Sequence, residues 1–245
     1  MQAGRFIHIA EECGWIDSIG SWVLNETCRQ LAEWRNMGLP SIPIAINVSA
    51  AQFARGNFAV DVVRALERYD LDPGLLELEL TESLLMEDVR QSHEQLATLH
   101  KTGVRIVMDD FGTGYSSLSY LDTLPIDAIK IDRSFIDKIN GSEPCAVLKS
   151  MVELGRRLGL IVVAEGVSTE EQRRLLARLD CDRLQGFLLA RPQAGADIPA
   201  LLRSRGCRSA ANSIPKSGPD RPLKPRGHEE RTPEAVIQPL PVFPS

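Results

Sequence analysis

Val104–Asp110 (VRIVMDD) and Leu160–Gly166 (LIVVAEG) are short, largely apolar runs that end on or beside carboxylates. A half-solvated strand alternates apolar with polar residues. A strand covered on both faces, as in a parallel sheet, does not have to. Four further runs read as strands: Ile42–Ser49 (IPIAINVS), Leu75–Glu82 (LLELELTE), Ala128–Asp132 (AIKID) and Leu184–Ala190 (LQGFLLA). Helical spacing fills the intervals. Val62, Val63, Leu66 and Tyr69 form one face, and Leu96 and Leu99 another. Val147, Leu148, Met151, Val152 and Leu158 form a third. Ser168 and Glu171 read as a capping box for a fourth helix carrying Leu175, Leu176 and Leu179, and Asp197 as the cap of a last helix. Two helices, Phe6–Cys13 and Asp17–Met37, precede the first strand.

Alternation of strand and helix predicts a parallel α/β architecture. The strand starts lie about 28 residues apart on average, close to the ~31 per unit of a (β/α)₈ barrel. Six units are visible, so the expected fold is a TIM-like (β/α) barrel that is incomplete, with six of eight strands. No G-x-G-x-x-G or P-loop occurs, which leaves a dinucleotide-binding or NTPase domain without support.

The 245 residues carry a net charge of −5, but unevenly. Residues 207–245 hold 8 of the 15 prolines, with 6 basic and 4 acidic side chains. They read as a disordered tail following a compact domain at 1–206. The body then has 22 basic and 29 acidic side chains, which argues against binding a nucleic-acid polymer. No apolar run approaches the ~18 residues of a membrane span. Five cysteines without CxxC spacing point to reduced thiols and a cytoplasmic protein.

In a barrel, chemistry sits at the C-terminal ends of the strands. Those ends carry Asn47, Glu79, Asp109 with Asp110, Lys130 with Asp132, Glu165 and, near the start of the last run, Gln185. One polar residue at a strand end is ordinary, and it can cap a helix or bond a loop amide. Five or six at the same level define a pocket. Crowded carboxylates repel unless they are protonated or bridged by cations, and hard oxygen donors suit Mg²⁺ or Mn²⁺. The Asp109–Asp110 pair could serve two ions, an arrangement suited to in-line attack on a phosphate ester. Lys130 could hold a phosphate oxygen or orient a water.

Six strings together resemble the EAL domain, the bacterial cyclic di-GMP phosphodiesterase family. They are NVSAAQF (Asn47–Phe53), LELELTESLLM (Leu76–Met86), DDFGTGYSSLSYL (Asp109–Leu121), LPIDAIKIDRSFI (Leu124–Ile136), VVAEGV (Val162–Val167) and QGFLLARP (Gln185–Pro192). The resemblance implies hydrolysis of cyclic di-GMP to linear pGpG with Mg²⁺ or Mn²⁺, two ions in all. It implies metal-ligand roles for Asn47, Glu79, Asp109 and Glu165. Asp110 would bind the second ion and help activate water. Lys130 would contact the attacking water, Gln185 would join the metal and water network, and Glu82 would anchor the loop after Asp110. In the family that loop couples the active site to a dimer interface, which makes a homodimer the expected partner besides cyclic di-GMP.

The sequence departs from the family pattern at two places. The Glu-Ala-Leu motif that names the family is absent, and by the resemblance its strand, and one before it, would precede Met1. The missing glutamate is a metal ligand there, and an arginine that contacts substrate follows it. After Val167 the family has Glu-Thr, where this chain has Ser168-Thr169. Open sheet edges near Ile42 and Leu184 and very weak activity are the expectations that follow. The alternative is an inactive EAL relic that binds cyclic di-GMP or a protein partner.

Overall fold

The computed structural model describes residues 3–54, 56–114, 121–139, 146–204 and 234–235. Two helices lead in, α1 (Ala3–Glu12) and α2 (Ile16–Asn36). Then follow β1 (Ile44–Asn47), α3 (Ala50–Ala54), α4 (Phe58–Arg68), β2 (Leu76–Thr81), α5 (Glu82–Glu87), α6 (Val89–Thr102) and β3 (Arg105–Phe111). The second half runs β4 (Ala128–Ile131), α7 (Arg133–Ile136), α8 (Ala146–Arg157), β5 (Ile161–Ala164), α9 (Glu170–Arg178), β6 (Arg183–Leu184) and α10 (Ile198–Ser204). The strands β1 to β6 pair in chain order and all in parallel. They curl into a half-barrel with helices packed outside, the incomplete TIM-like barrel expected from the strand spacing.

Period-2 alternation decides what faces where. On β2, Leu76, Leu78 and Leu80 are fully buried and belong to the apolar layer under the helices. Ile129 on β4 and Val162 on β5 join that layer. A Cβ added at Gly155 of α8 would stand 2.7 Å from side-chain atoms of both. The other parity (Glu77 and Glu79; Arg105 and Asp109; Lys130; Arg183) fills the concave interior, as the ion pairs among these residues demonstrate. The charged residues thus stand on the inside of the curl, beside a few aliphatic ones such as Val107 and Val163, and the outside is aliphatic.

Several sequence expectations need correction. The run Leu184–Ala190 is not one strand. β6 is two residues long, after which the chain turns and leaves Phe187 60% exposed. Gly186 makes the turn possible: any Cβ there would lie 2.1 Å from the Val167 carbonyl oxygen. The helix expected behind Ser168 is capped one residue later, with Thr169 and Gln172 forming the box. Val147 is exposed rather than part of a buried helix face. The expected open edge at Leu184 carries a two-residue strand from the tail, β7 (Glu234–Ala235), in register with Arg183 and Leu184. The rest of the tail expected to be disordered lies outside the described residues. At the opposite edge, β2 is the only neighbour of β1 among the described residues.

Candidate active site

Four charged groups meet inside the C-terminal end of the half-barrel. The Lys130 ammonium lies 2.8 Å from Glu79 Oε1, 3.3 Å from Asp109 Oδ1 and 2.5 Å from Glu165 Oε1. Glu79 and Lys130 are each 3% exposed, so water screens these charges little. The strands impose the meeting. Glu79 and Asp109 are near the ends of neighbouring β2 and β3, Lys130 is near the end of β4, and Glu165 follows β5, its N–H donating to the Ile131 carbonyl at 3.2 Å.

Three carboxylates share one ammonium, and the crowding appears in the titration of Glu79 and Glu165. Burial, opposed by Lys130 and reinforced by Asp109, pushes Glu79 up to about 7. Burial first, and then the charge of Asp109 against the pull of Lys130, also raises Glu165. Desolvation alone would lower the Lys130 ammonium, but Glu79, Asp109 and Glu165 outweigh it and hold the group protonated. The cluster keeps a surplus of negative charge that another cation would offset.

Asp110 is placed by a local irregularity. The β3–β4 register shifts between Met108 and Phe111, and Asp110 has φ 55°. This left-handed conformation is one that Asp tolerates better than most side chains. A bulge of this kind re-aims a side chain at a strand end. The Asp110 N–H donates to Asp109 Oδ1 at 2.9 Å, and burial, with the charges of Asp109 and Asp132, raises the Asp110 carboxyl. The loop that follows is held from below. Glu82, at the start of α5 and 1% exposed, accepts the Gly112 N–H on Oε2 at 2.8 Å. Gly112 has φ +95°, and a Cβ there would stand 2.3 Å from Met151. Residues 115–120 of this loop, where the expected dimer contact falls, lie outside the described residues.

The remaining two candidates sit on the flanks. Asn47 ends β1 in register with Glu79 but is exposed. Gln185 follows β6, its N–H donating to the Ala164 carbonyl and its carbonyl accepting from Val167 N–H, both at 2.9 Å. Lys130 forms its ion pairs with Glu79, Asp109 and Glu165. Among the described residues, no three Asp, Glu, His or Cys side chains are gathered as a ready metal cage. The donor chemistry still fits a hard divalent cation. Asn47, Glu79, Asp109, Asp110 and Glu165 offer oxygen atoms only, with excess negative charge.

The strand-end reading missed a second charged layer deeper in the curl. Glu77 accepts from Arg183 Nη1 at 3.0 and 3.3 Å and from Arg105 Nη1 at 3.2 Å. The signal was present in LELELT, whose alternation places Glu77 on the same face as Glu79.

The fold and this cluster define a class: an α/β half-barrel with an acidic, lysine-centred site at the strand C-termini. The chain belongs to the EAL domain family, whose profile matches residues 1–192. It is 48% identical over 198 residues to the bifunctional diguanylate cyclase/cyclic di-GMP phosphodiesterase MucR of Pseudomonas aeruginosa, covering 80% of this chain and 29% of that protein. It is 40% identical over 201 residues to the cyclic di-GMP phosphodiesterase NbdA of the same organism, covering 82% of this chain and 26% of NbdA. The solved MucR phosphodiesterase in complex with c-di-GMP superposes with a TM-score of 0.77 at 47% identity, covering 81% of each chain. The chain therefore spans under a third of the length of these curated relatives.

Proposed function

We propose that this chain is a metal-dependent phosphodiesterase that hydrolyses cyclic di-GMP to linear pGpG in the cytoplasm. The observation that carries the reading is the convergence of Glu79, Asp109 and Glu165 on Lys130 at the C-terminal end of the barrel. The phosphodiesterase relatives and the c-di-GMP complex of MucR support the substrate. No helix among the described residues is long and apolar enough to cross a membrane.

Glu79, Asp109 and Glu165, with Asp110 and Asn47, would hold Mg²⁺ or Mn²⁺, two ions in all. Such an ion supplies a lowered pKa for a water and offsets charge on the phosphate. Asp110, its carboxyl raised by burial and by Asp109, would accept a proton from the attacking water as the water's oxygen bonds to phosphorus. The bond from phosphorus to the 3′-oxygen breaks, and that oxygen takes a proton. Lys130, held protonated by its three carboxylates, stabilises the charge developing on the phosphoryl oxygens. Gln185 orients the water, and Glu82 fixes the loop after Asp110 through Gly112. A dimer through that loop belongs to the same reading, and sedimentation of the purified chain would reveal it.

Incubating the full chain with cyclic di-GMP and Mn²⁺ and separating the products by chromatography tests the reading: pGpG supports it. A second reading, a cyclic di-GMP-binding module without turnover, is favoured by the direct clasp of Lys130 on the carboxylates. Saturable binding with no pGpG formed would select it.

A further inference from the structure

The buried charges below the active site span the barrel. Glu77 is on β2 and Arg183 on β6, 106 residues apart in sequence and four strands apart in the sheet. In a flat sheet those strands would stand ~19 Å apart, beyond the reach of a Glu–Arg pair whose side chains project from one face. The contact at 3.0 Å therefore exists only because the sheet curls, and it joins the two walls of the curl directly. Glu77 is 6% exposed and Arg183 7%, so this ion pair is geometrically demanding in a way that surface pairs are not.

What stands above each partner gives the pair its significance. Glu79 lies two residues beyond Glu77, and Gln185 two residues beyond Arg183, each ~6.6 Å higher on the same inward face. β6 is also the shortest strand of the barrel proper, with two residues in register with β5. On its outer edge β6 pairs only with the two-residue β7, and the residue before it is tied to β5: the Asp182 carboxylate accepts Val162 N–H at 2.9 Å, and Asp182 N–H donates to the Val162 carbonyl at 3.0 Å. Arg183 reaches the far wall instead.

We propose that the Glu77–Arg183 pair, steadied by Arg105, is a cross-barrel strut that sets the distance between Glu79 and Gln185. Glu77 and Arg183 are thus positioning residues for the site above. This inference rests on the phosphodiesterase reading for its catalytic consequence but not for its geometry. Arg105 stays within reach of Glu77 at 3.2 Å, so Glu77 keeps a partner when Arg183 is replaced.

The experiment compares the full-length chain with Arg183→Met and Arg183→Lys well below their melting transitions. It measures kcat and KM for cyclic di-GMP with Mn²⁺, and the electron-spin distance between nitroxide amino acids at exposed Ser83, after β2, and Leu188, after β6. Arg183→Met is expected to lower kcat about tenfold, the scale on which supporting residues act on metal sites, with a smaller change in KM and a longer, broader spin distance. Arg183→Lys is expected to recover part of both. Unchanged kcat and spin distance in Arg183→Met would overturn the strut. If the unaltered chain forms no pGpG, the phosphodiesterase reading fails, and the spin distance alone decides the strut. If Arg183→Met does not fold, Glu77→Gln takes its place with the same two readouts and the same deciding outcomes.

Discussion

The half-barrel interior holds two charged layers that share β2 and β3, and they carry surplus charge of opposite sign. The upper layer sets Glu79, Asp109 and Glu165 against Lys130. The lower sets Arg105 and Arg183 against Glu77. In the lower layer one carboxylate accepts from two guanidiniums, which leaves one positive charge over. In the upper layer one ammonium cannot neutralise three acids, so Glu79 is driven up to about 7 chiefly by its burial. An electrostatically unsatisfied cluster at the mouth can recruit a cation and a phosphate. The cluster beneath it ties one wall of the curl to the other. The difference teaches that the sign of the surplus, negative above and positive below, separates the two parts of this interior, rather than burial or charge as such.

Replacing Lys130 by Met breaks the upper layer most severely. Hydrolysis is expected to fall by about 10²–10³-fold, as when a preorganised electrostatic group is lost, and stability by about 3–5 kcal/mol, because three buried carboxylates lose their counter-ion. Product formation and a denaturant melt measure the two; wild-type turnover would place the chemistry elsewhere. The complementary change below, Glu77→Ala, leaves Arg105 and Arg183 buried without their acceptor. It should cost about 3 kcal/mol or more in the same melt; a loss under 1 kcal/mol would remove the distinction between frame and site.

The pH dependence sharpens the comparison further. In the folded chain Glu79 binds its proton up to about 7, whereas the unfolded side chain releases it near the ordinary value of 4.5. Between these values the folded state holds more protons than the unfolded state, so stability falls as pH rises. The part of the decline due to Glu79 in metal-free protein should amount to about 3 kcal/mol and should be lost in Glu79→Gln, which keeps the decline from Asp110 and Glu165. A flat pH profile in the unaltered chain would contradict the crowding of the upper layer. Glu82→Ala removes the acceptor of Gly112 N–H and should cost about 1.5–3 kcal/mol, with faster amide exchange at Gly112. Thr169→Ala should cost about 1 kcal/mol through loss of its helix cap, visible in the melt but not in turnover, since it touches neither layer.

Much of the upper layer was legible because strand ends announce themselves. An apolar run must be buried, and the first acids after it mark the C-terminal end of the strand, where a barrel gathers its polar groups, as in VVAEG and IVMDD. The lower layer was obscured because an acid or arginine inside a strand run looks like the polar half of an alternation. Its partner, 106 residues away, cannot be found by local spacing. LQGFLLA reads as a strand for a related reason: composition records apolarity but not where pairing stops. Here Gly186 packs against the Val167 backbone and turns Phe187 outward.

By itself the sequence determined the order of elements, the parallel α/β class, the family and the residues at the strand mouths, because each depends on local pattern or on motif. The tertiary structure alone decided that Lys130 clasps three carboxylates, that Asp110 turns on a bulge with a left-handed backbone, and that Glu77 meets Arg183 across the curl. Each of these depends on how far the sheet bends and on which side chains that bend brings within ~3 Å in a medium of low dielectric. Distance and burial of that kind are properties of the packed chain, and no window of neighbouring residues contains them.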